Sequence, residues 1–222
     1  AYIEIALTAG SKLFKTTHLI LENLIIQQPL IFAEHETQTV QVILKKDDKQ
    51  ASFEIYGSLD QENWKLHSFG TVTSYQASLD QTNIDLSQLQ QELTSVSVET
   101  FYQQCQKQGL EYGSNFRGIK QLWRQDGAAL GQIKLLLDLE FYSYHPSLLD
   151  ACFQVILAAF PTKATSETYL PVAIERVCFY RPLSSNIWSY VKLRPQTEQN
   201  QIIADLQLFD EQGIIAQIKG IT

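Results

Sequence analysis

Apolar residues recur at helical spacing in three longer stretches and at strand spacing through most of the rest of the chain. In residues 2–14, Ile3, Ala6, Leu7 and Leu13 follow a helical period, which predicts a helix whose end Gly10 should weaken. Strand-like runs follow at 18–32, 39–45, 52–59 and 64–72, the first rich in Leu and Ile but interrupted at Glu22-Asn23 and Gln27-Gln28-Pro29. Lys46-Asp47-Asp48-Lys49 and Asp60-Gln61-Glu62-Asn63 read as hairpin turns. Residues 74–94 are polar, rich in Gln, Ser and Asp, and free of Gly and Pro; they read as a linker with a short helix near Leu86 to Leu93.

The order then repeats with an addition. Residues 98–108 predict a helix closed by Gly109, a residue suited to the left-handed position after a helix. Residues 117–124 and 129–137 predict strands joined by the Gln125-Asp126-Gly127 turn. A helix over 146–160 starts with Pro146, whose missing N–H is not needed at a first helical position. Strands return at 176–180, 187–193, 202–209 and 214–221. In Ile202 to Leu208 apolar and polar residues alternate as in an antiparallel strand buried on one face. Each half is one central helix and several antiparallel strands, an α+β class. The division is 1–75, a linker at 76–97, and 98–222, with the first half lacking the strands that lead into the helix of the second.

Composition narrows the function classes. A 222-residue chain with 45% hydrophobic residues can bury a sizeable core. Its net charge of −7, with Lys45-Lys46 the only adjacent basic pair, argues against a nucleic-acid surface. Cys105, Cys152 and Cys178 form no Cys-x-x-Cys pair, so reduced thiols in a cytoplasmic protein are expected rather than a zinc site or disulfide framework. No apolar run reaches the ~18 residues of a membrane helix. Methionine is absent, even at position 1, and no signal peptide opens the chain, so Ala1 is expected to lie inside a longer protein. No Gly-x-Ser-x-Gly elbow, phosphate loop or dinucleotide fingerprint is present, which leaves hydrolase, nucleotide and nicotinamide chemistry without support.

The candidate chemistry lies in Tyr144-His145-Pro146-Ser147-Leu148-Leu149-Asp150-Ala151-Cys152-Phe153-Gln154. Asp150 sits near the start of an apolar helix, one turn before Gln154. It can be an acid stabilised by the helix dipole, or a carboxyl kept neutral by burial to donate a proton. Gln154, at i+4, can hold its rotamer or satisfy a buried backbone group. His145 is set about 140° around the helix from Asp150 and is biased to an extended conformation by Pro146, so it is expected to be structural. His67 is expected to be structural too; His18 and His35 lie in no motif, and none of the four is nominated as a base.

The segment His145 to Gln154 resembles the second active-site motif of polyketide synthase dehydratase domains. Ala1 to Leu7 resembles the helix after that family's histidine motif, Gly109-Leu110-Glu111-Tyr112-Gly113-Ser114-Asn115-Phe116 its Gly-Tyr-x-Tyr-Gly-Pro-x-Phe motif, and Tyr169-Leu170-Pro171-Val172 its Leu-Pro-Phe segment. The resemblance implies a double hotdog, two helices each wrapped by an antiparallel sheet. It implies loss of water from a 3-hydroxyacyl thioester, with a histidine taking the α-proton and Asp150 protonating the departing hydroxyl. Gln154 and Tyr112 would support the acid, and Phe116, Leu170 and Pro171 would shape the substrate pocket. Leu110 and Ser114 depart from the motif's first tyrosine and its proline.

The histidine motif, His-x-x-x-Gly-x-x-x-x-Pro, is expected immediately upstream of Ala1, and the chain as written is expected to be inactive without it. The resemblance implies no cofactor or metal. It implies an acyl carrier protein that presents substrate on a phosphopantetheine arm, further synthase domains on the same polypeptide, and a homodimer. Arg117, Lys120 and Arg124 are candidate contacts for an acidic carrier protein, or solvated strand residues. A non-catalytic acyl-binding hotdog domain, and a relative that shifts a double bond or closes a ring, are the alternatives.

Overall fold

The computed structural model describes residues 1–32, 36–75, 84–135, 142, 144–161, 168–195 and 201–222; His35 and the first part of the linker, 76–83, lie outside them. The chain runs α1 (Tyr2–Phe14), β1 (Leu19–Ile26), β2 (Thr39–Asp47), β3 (Gln50–Ser58), β4 (Lys65–Ser74), α2 (Leu86–Glu92), β5 (Thr94–Val96) and α3 (Val98–Lys107). A 3-10 turn at Ser114–Phe116 precedes β6 (Ile119–Gln125), β7 (Ala128–Lys134), α4 (Pro146–Ala158), β8 (Ala173–Phe179), β9 (Asn186–Leu193), β10 (Ala204–Asp210) and β11 (Gly213–Ile221). The strands form one antiparallel sheet in the order β2-β3-β4-β1-β8-β11-β10-β9-β7-β6-β5. Among the described residues no helix is long and apolar enough to cross a membrane.

Each long helix lies on its own part of this sheet: α1 on β1 to β4, α4 on β6, β7 and β9. Helix α1 buries Ile3, Ala6, Leu7 and Gly10, the i, i+3, i+4, i+7 stripe of a helix on a core. The helix expected over 2–14 forms and runs through Gly10 to Phe14. A Cβ at Gly10 would stand 2.8 Å from Val72 Cγ2, so the glycine lets helix and sheet approach closely. Gly118 and Gly131 do the same under α4, where a Cβ would meet Ala151 Cβ at 2.7 Å and Val155 Cγ2 at 2.5 Å.

The two halves join where β1 pairs with β8. Leu21 lies opposite Val177 there and opposite Val72 of β4 on its other side, and all three are fully buried. One apolar core runs from Leu7 and Phe53 in the first half to Leu148, Val155 and Ile187 in the second. The long run expected over 18–32 forms a strand only to Ile26, and Gln28 then leaves the ladder to donate to the Leu66 carbonyl. Within the stretch read as a linker, β5 pairs with β6 and extends the sheet of the second half.

Candidate active site

Helix α4 has two working faces. Leu148, Ala151, Cys152, Val155 and Ala158 are buried. Asp150, Phe153, Gln154 and Leu157, at the same i, i+3, i+4, i+7 spacing, turn to a cavity of about 690 Å³. Leu110 and Tyr112 from the loop after α3, Leu170 and Pro171 before β8, and Ile202 and Ile221 complete its mostly apolar wall. The helix starts without help from a carboxylate. His145 is its N-cap, and its Nδ1 accepts the Ser147 N–H at 3.2 Å, the first N–H available after Pro146. Asp150 is the fifth helical residue, past the first turn where a helix dipole would most favour its charge.

Asp150 is partly buried. Its Oδ2 accepts from Gln154 Nε2 at 2.7 Å. Burial raises its pKa, against the opposing pull of the Gln154 hydrogen bond. With a donor fixed on Oδ2, Oδ1 is the oxygen left to carry the proton. Gln154 is 3% exposed; its Nε2 also donates to the Phe116 carbonyl at 2.9 Å, and its Oε1 accepts from the Tyr102 hydroxyl at 3.1 Å. Tyr102 in turn accepts the Ile119 N–H at 3.3 Å.

Tyr112 lines the cavity beside Asp150, and burial, then the Asp150 charge, push its phenol pKa up. No protein partner holds its hydroxyl among the described residues, so it does not hydrogen-bond Asp150. Leu170 and Pro171 line the cavity, with Leu170 67% exposed at its mouth. Phe116 does not line it: its ring is 42% exposed and its contribution is the carbonyl that Gln154 grips.

The other candidates are engaged elsewhere. His67 is buried on β4 with Nδ1 3.3 Å from the Gln28 carbonyl. None of His18, His67 and His145 is hydrogen-bonded to Asp150. Arg117 donates to the Tyr112 carbonyl and lies over the Tyr102 ring, 5.2 Å from its centroid. Arg124 grips the Ala158 and Phe160 carbonyls at the end of α4 and pairs with Asp126, so it is not a free surface cation. Lys120 and Arg117 are both exposed with no ion pair among the described residues, but Arg117 is tied to the Tyr112 carbonyl and the Tyr102 ring. Among the described residues no three His, Cys, Asp or Glu side chains converge as metal ligands.

Tyr102 was not singled out by sequence. The signal was available: Phe101, Tyr102 and Cys105 form a buried i, i+1, i+4 face on an otherwise polar helix. A hydroxyl on such a face needs a partner.

Comparison with known proteins identifies the family. Residues 84–222 match the family model described as polyketide synthase dehydratase N-terminal domain, and residues 1–58 match that described as polyketide synthase dehydratase domain. Polyketide synthase PksN of Bacillus subtilis is 26% identical over 100% of this chain, and PksM of the same organism 26% over 99%. The chain spans only 4% and 6% of those two proteins. Among solved structures, the dehydratase domain of the CurF module of curacin polyketide synthase is 33% identical with a TM-score of 0.89, covering 99% of this chain and 80% of that one. The CurK dehydratase domain of the same synthase is 31% identical at 0.88, covering 100% and 80%. The shared fold is the double hotdog. With dehydratase models matching most of its length, this chain belongs to the polyketide synthase dehydratase family.

Proposed function

We propose that this chain is the acid-bearing part of a domain that removes water from a 3-hydroxyacyl thioester, with Asp150 as general acid. The observation that carries this is the Asp150 carboxyl itself, raised in pKa by burial and held by Gln154 in the wall of a cavity lined by apolar side chains. A base withdraws the α-proton, and that C–H pair becomes the α,β double bond. The β C–O bond breaks, and the proton on Asp150 Oδ1 goes to the leaving hydroxyl to make water. Asp150 is left as a carboxylate, which the Gln154 N–H stabilises as it forms. Tyr112, its phenol kept neutral, offers its free O–H to the substrate hydroxyl before departure.

The resemblance implies a histidine as that base, and among the described residues none of His18, His67 and His145 is hydrogen-bonded to Asp150. A CurK dehydratase with a histidine changed to phenylalanine and another with an aspartate changed to asparagine are both described as inactive. No step calls for a cofactor or metal. The thioester would arrive on the phosphopantetheine arm of an acyl carrier protein, within a multidomain synthase and as a homodimer.

The test is turnover of a 3-hydroxyacyl carrier-protein thioester by the protein that carries the upstream segment, read as loss of the mass of one water. Asp150→Asn lowers kcat by roughly 10²–10⁴-fold. Unchanged turnover in that variant removes Asp150 from the mechanism.

A further inference from the structure

We propose that Tyr102 is the positioning residue of this site: its O–H fixes the Gln154 amide so that Nε2 faces Asp150 Oδ2 and Oδ1 alone carries the acid's proton. The inference rests on the reading of Asp150 as the general acid. It comes from counting what each group can do. The Ile119 N–H can only donate, so it takes a lone pair of the Tyr102 oxygen at 3.3 Å and leaves the phenolic hydrogen for Gln154 Oε1 at 3.1 Å. The Phe116 carbonyl can only accept, and it meets Gln154 Nε2 at 2.9 Å. A flipped amide would set its oxygen against the Phe116 carbonyl and Asp150 Oδ2 together. One orientation therefore satisfies every group, and it aims an N–H at the acid.

The hydroxyl is built to stay a donor. Tyr102 is 4% exposed, packed edge-on against Phe101 and Tyr112, under the Arg117 guanidinium. Burial above all pushes its phenol pKa up to about 12, so the proton remains across the working range. Among the described residues, the titratable side chains whose pKa the Asp150 charge affects are Tyr102 of α3, Tyr112 of the following loop and Cys152 of α4. Burial raises the pKa of all three side chains, so they stay neutral below pH 9.

Tyr102→Phe keeps the ring and removes only the donor. The Gln154 amide then loses the bond that holds its oxygen, and its N–H serves the developing carboxylate less well. In the protein carrying the upstream segment, kcat should fall about 10- to 100-fold with KM little changed. The alkaline limb of the kcat profile should move to higher pH, because a fixed donor favours the ionised carboxyl. Carboxyl ¹³C NMR of Asp150, which needs no turnover, should show the same upward move. Gln154→Leu should raise the Asp150 titration likewise, and adding Tyr102→Phe to it should change nothing further.

A folded Tyr102→Phe with an unmoved titration and pH profile overturns the inference, as does full additivity with Gln154→Leu. If Tyr102→Phe does not fold, 3-fluorotyrosine at 102 gives a stronger donor and should lower the Asp150 pKa; an unmoved titration again refutes the role. Wild-type turnover by Asp150→Asn would sink the acid assignment instead, leaving the NMR test of the hydrogen-bond relay intact.

Discussion

Asp150 is kept where its charged form is disfavoured, and that has a consequence for stability. Its folded pKa lies above the ordinary carboxyl value near 3.9, because burial outweighs the Gln154 hydrogen bond. A group raised in this way contributes its full stability below the unfolded pKa and loses it as pH rises through the folded value. At neutral pH, Asp150 therefore costs the fold free energy. Asp150→Asn, which keeps the size and cannot ionise, should stabilise the protein at neutral pH by roughly 1 kcal/mol, or about 2–4 °C in Tm. That advantage should vanish in melts below pH 4, and an Asn variant that melts no higher at neutral pH would contradict it.

At the scale of the element, the direction of α4 is set by its start and by what lies beneath it. The His145 cap needs a bare Nδ1, and burial already holds the imidazole pKa below its ordinary value. A depressed pKa means stability that is present above the unfolded value near 6.5 and lost as pH falls through the folded one. His145→Ala should cost about 1 kcal/mol at pH 7. His145→Asn should keep the cap and flatten the change in Tm between pH 7 and 5. Beneath the helix, Gly118 lies against Ala151, the neighbour of Asp150. A methyl added there meets another Cβ, which cannot swing aside. Gly118→Ala should cost about 1–3 kcal/mol in denaturant melts and, by pushing on the helix that carries the acid, lower kcat too.

At the scale of the molecule, the β1–β8 pairing makes two similar halves one sheet with one core. Either half alone would expose Leu21 and Leu24 or Ile174 and Val177 at a raw edge. The halves should therefore unfold together. Leu21→Ala, a buried truncation in the seam, should cost about 2–5 kcal/mol. Trp64 reports on the first half, Trp123 and Trp188 on the second, and single-tryptophan versions should shift by the same amount. A shift confined to Trp64 would show that the halves melt separately.

Much of this was legible in the chain. The helical period of Ile3, Ala6 and Leu7, the strand runs, the turn at Gln125-Asp126-Gly127 and the Pro146 start are local signals, and each produced its element. Asp150 and Gln154 at i+4 were bound to share a helix face, because one turn separates them. What the sequence could not fix were contacts between distant segments. Gly10 read only as a weak point in its helix, because its partner, Val72, is brought to it by the sheet. Tyr102 went unmarked because its partners, Gln154 and Ile119, lie 52 and 17 residues away. Phe116 supplies a carbonyl rather than a ring, a distinction made by the backbone path and not by side-chain type. Local pattern chose the helices and strands, since it depends on neighbours along the chain. Packing alone decided which oxygen of Asp150 is free, since that depends on a hydrogen-bond relay closed only when α3, α4 and β6 meet.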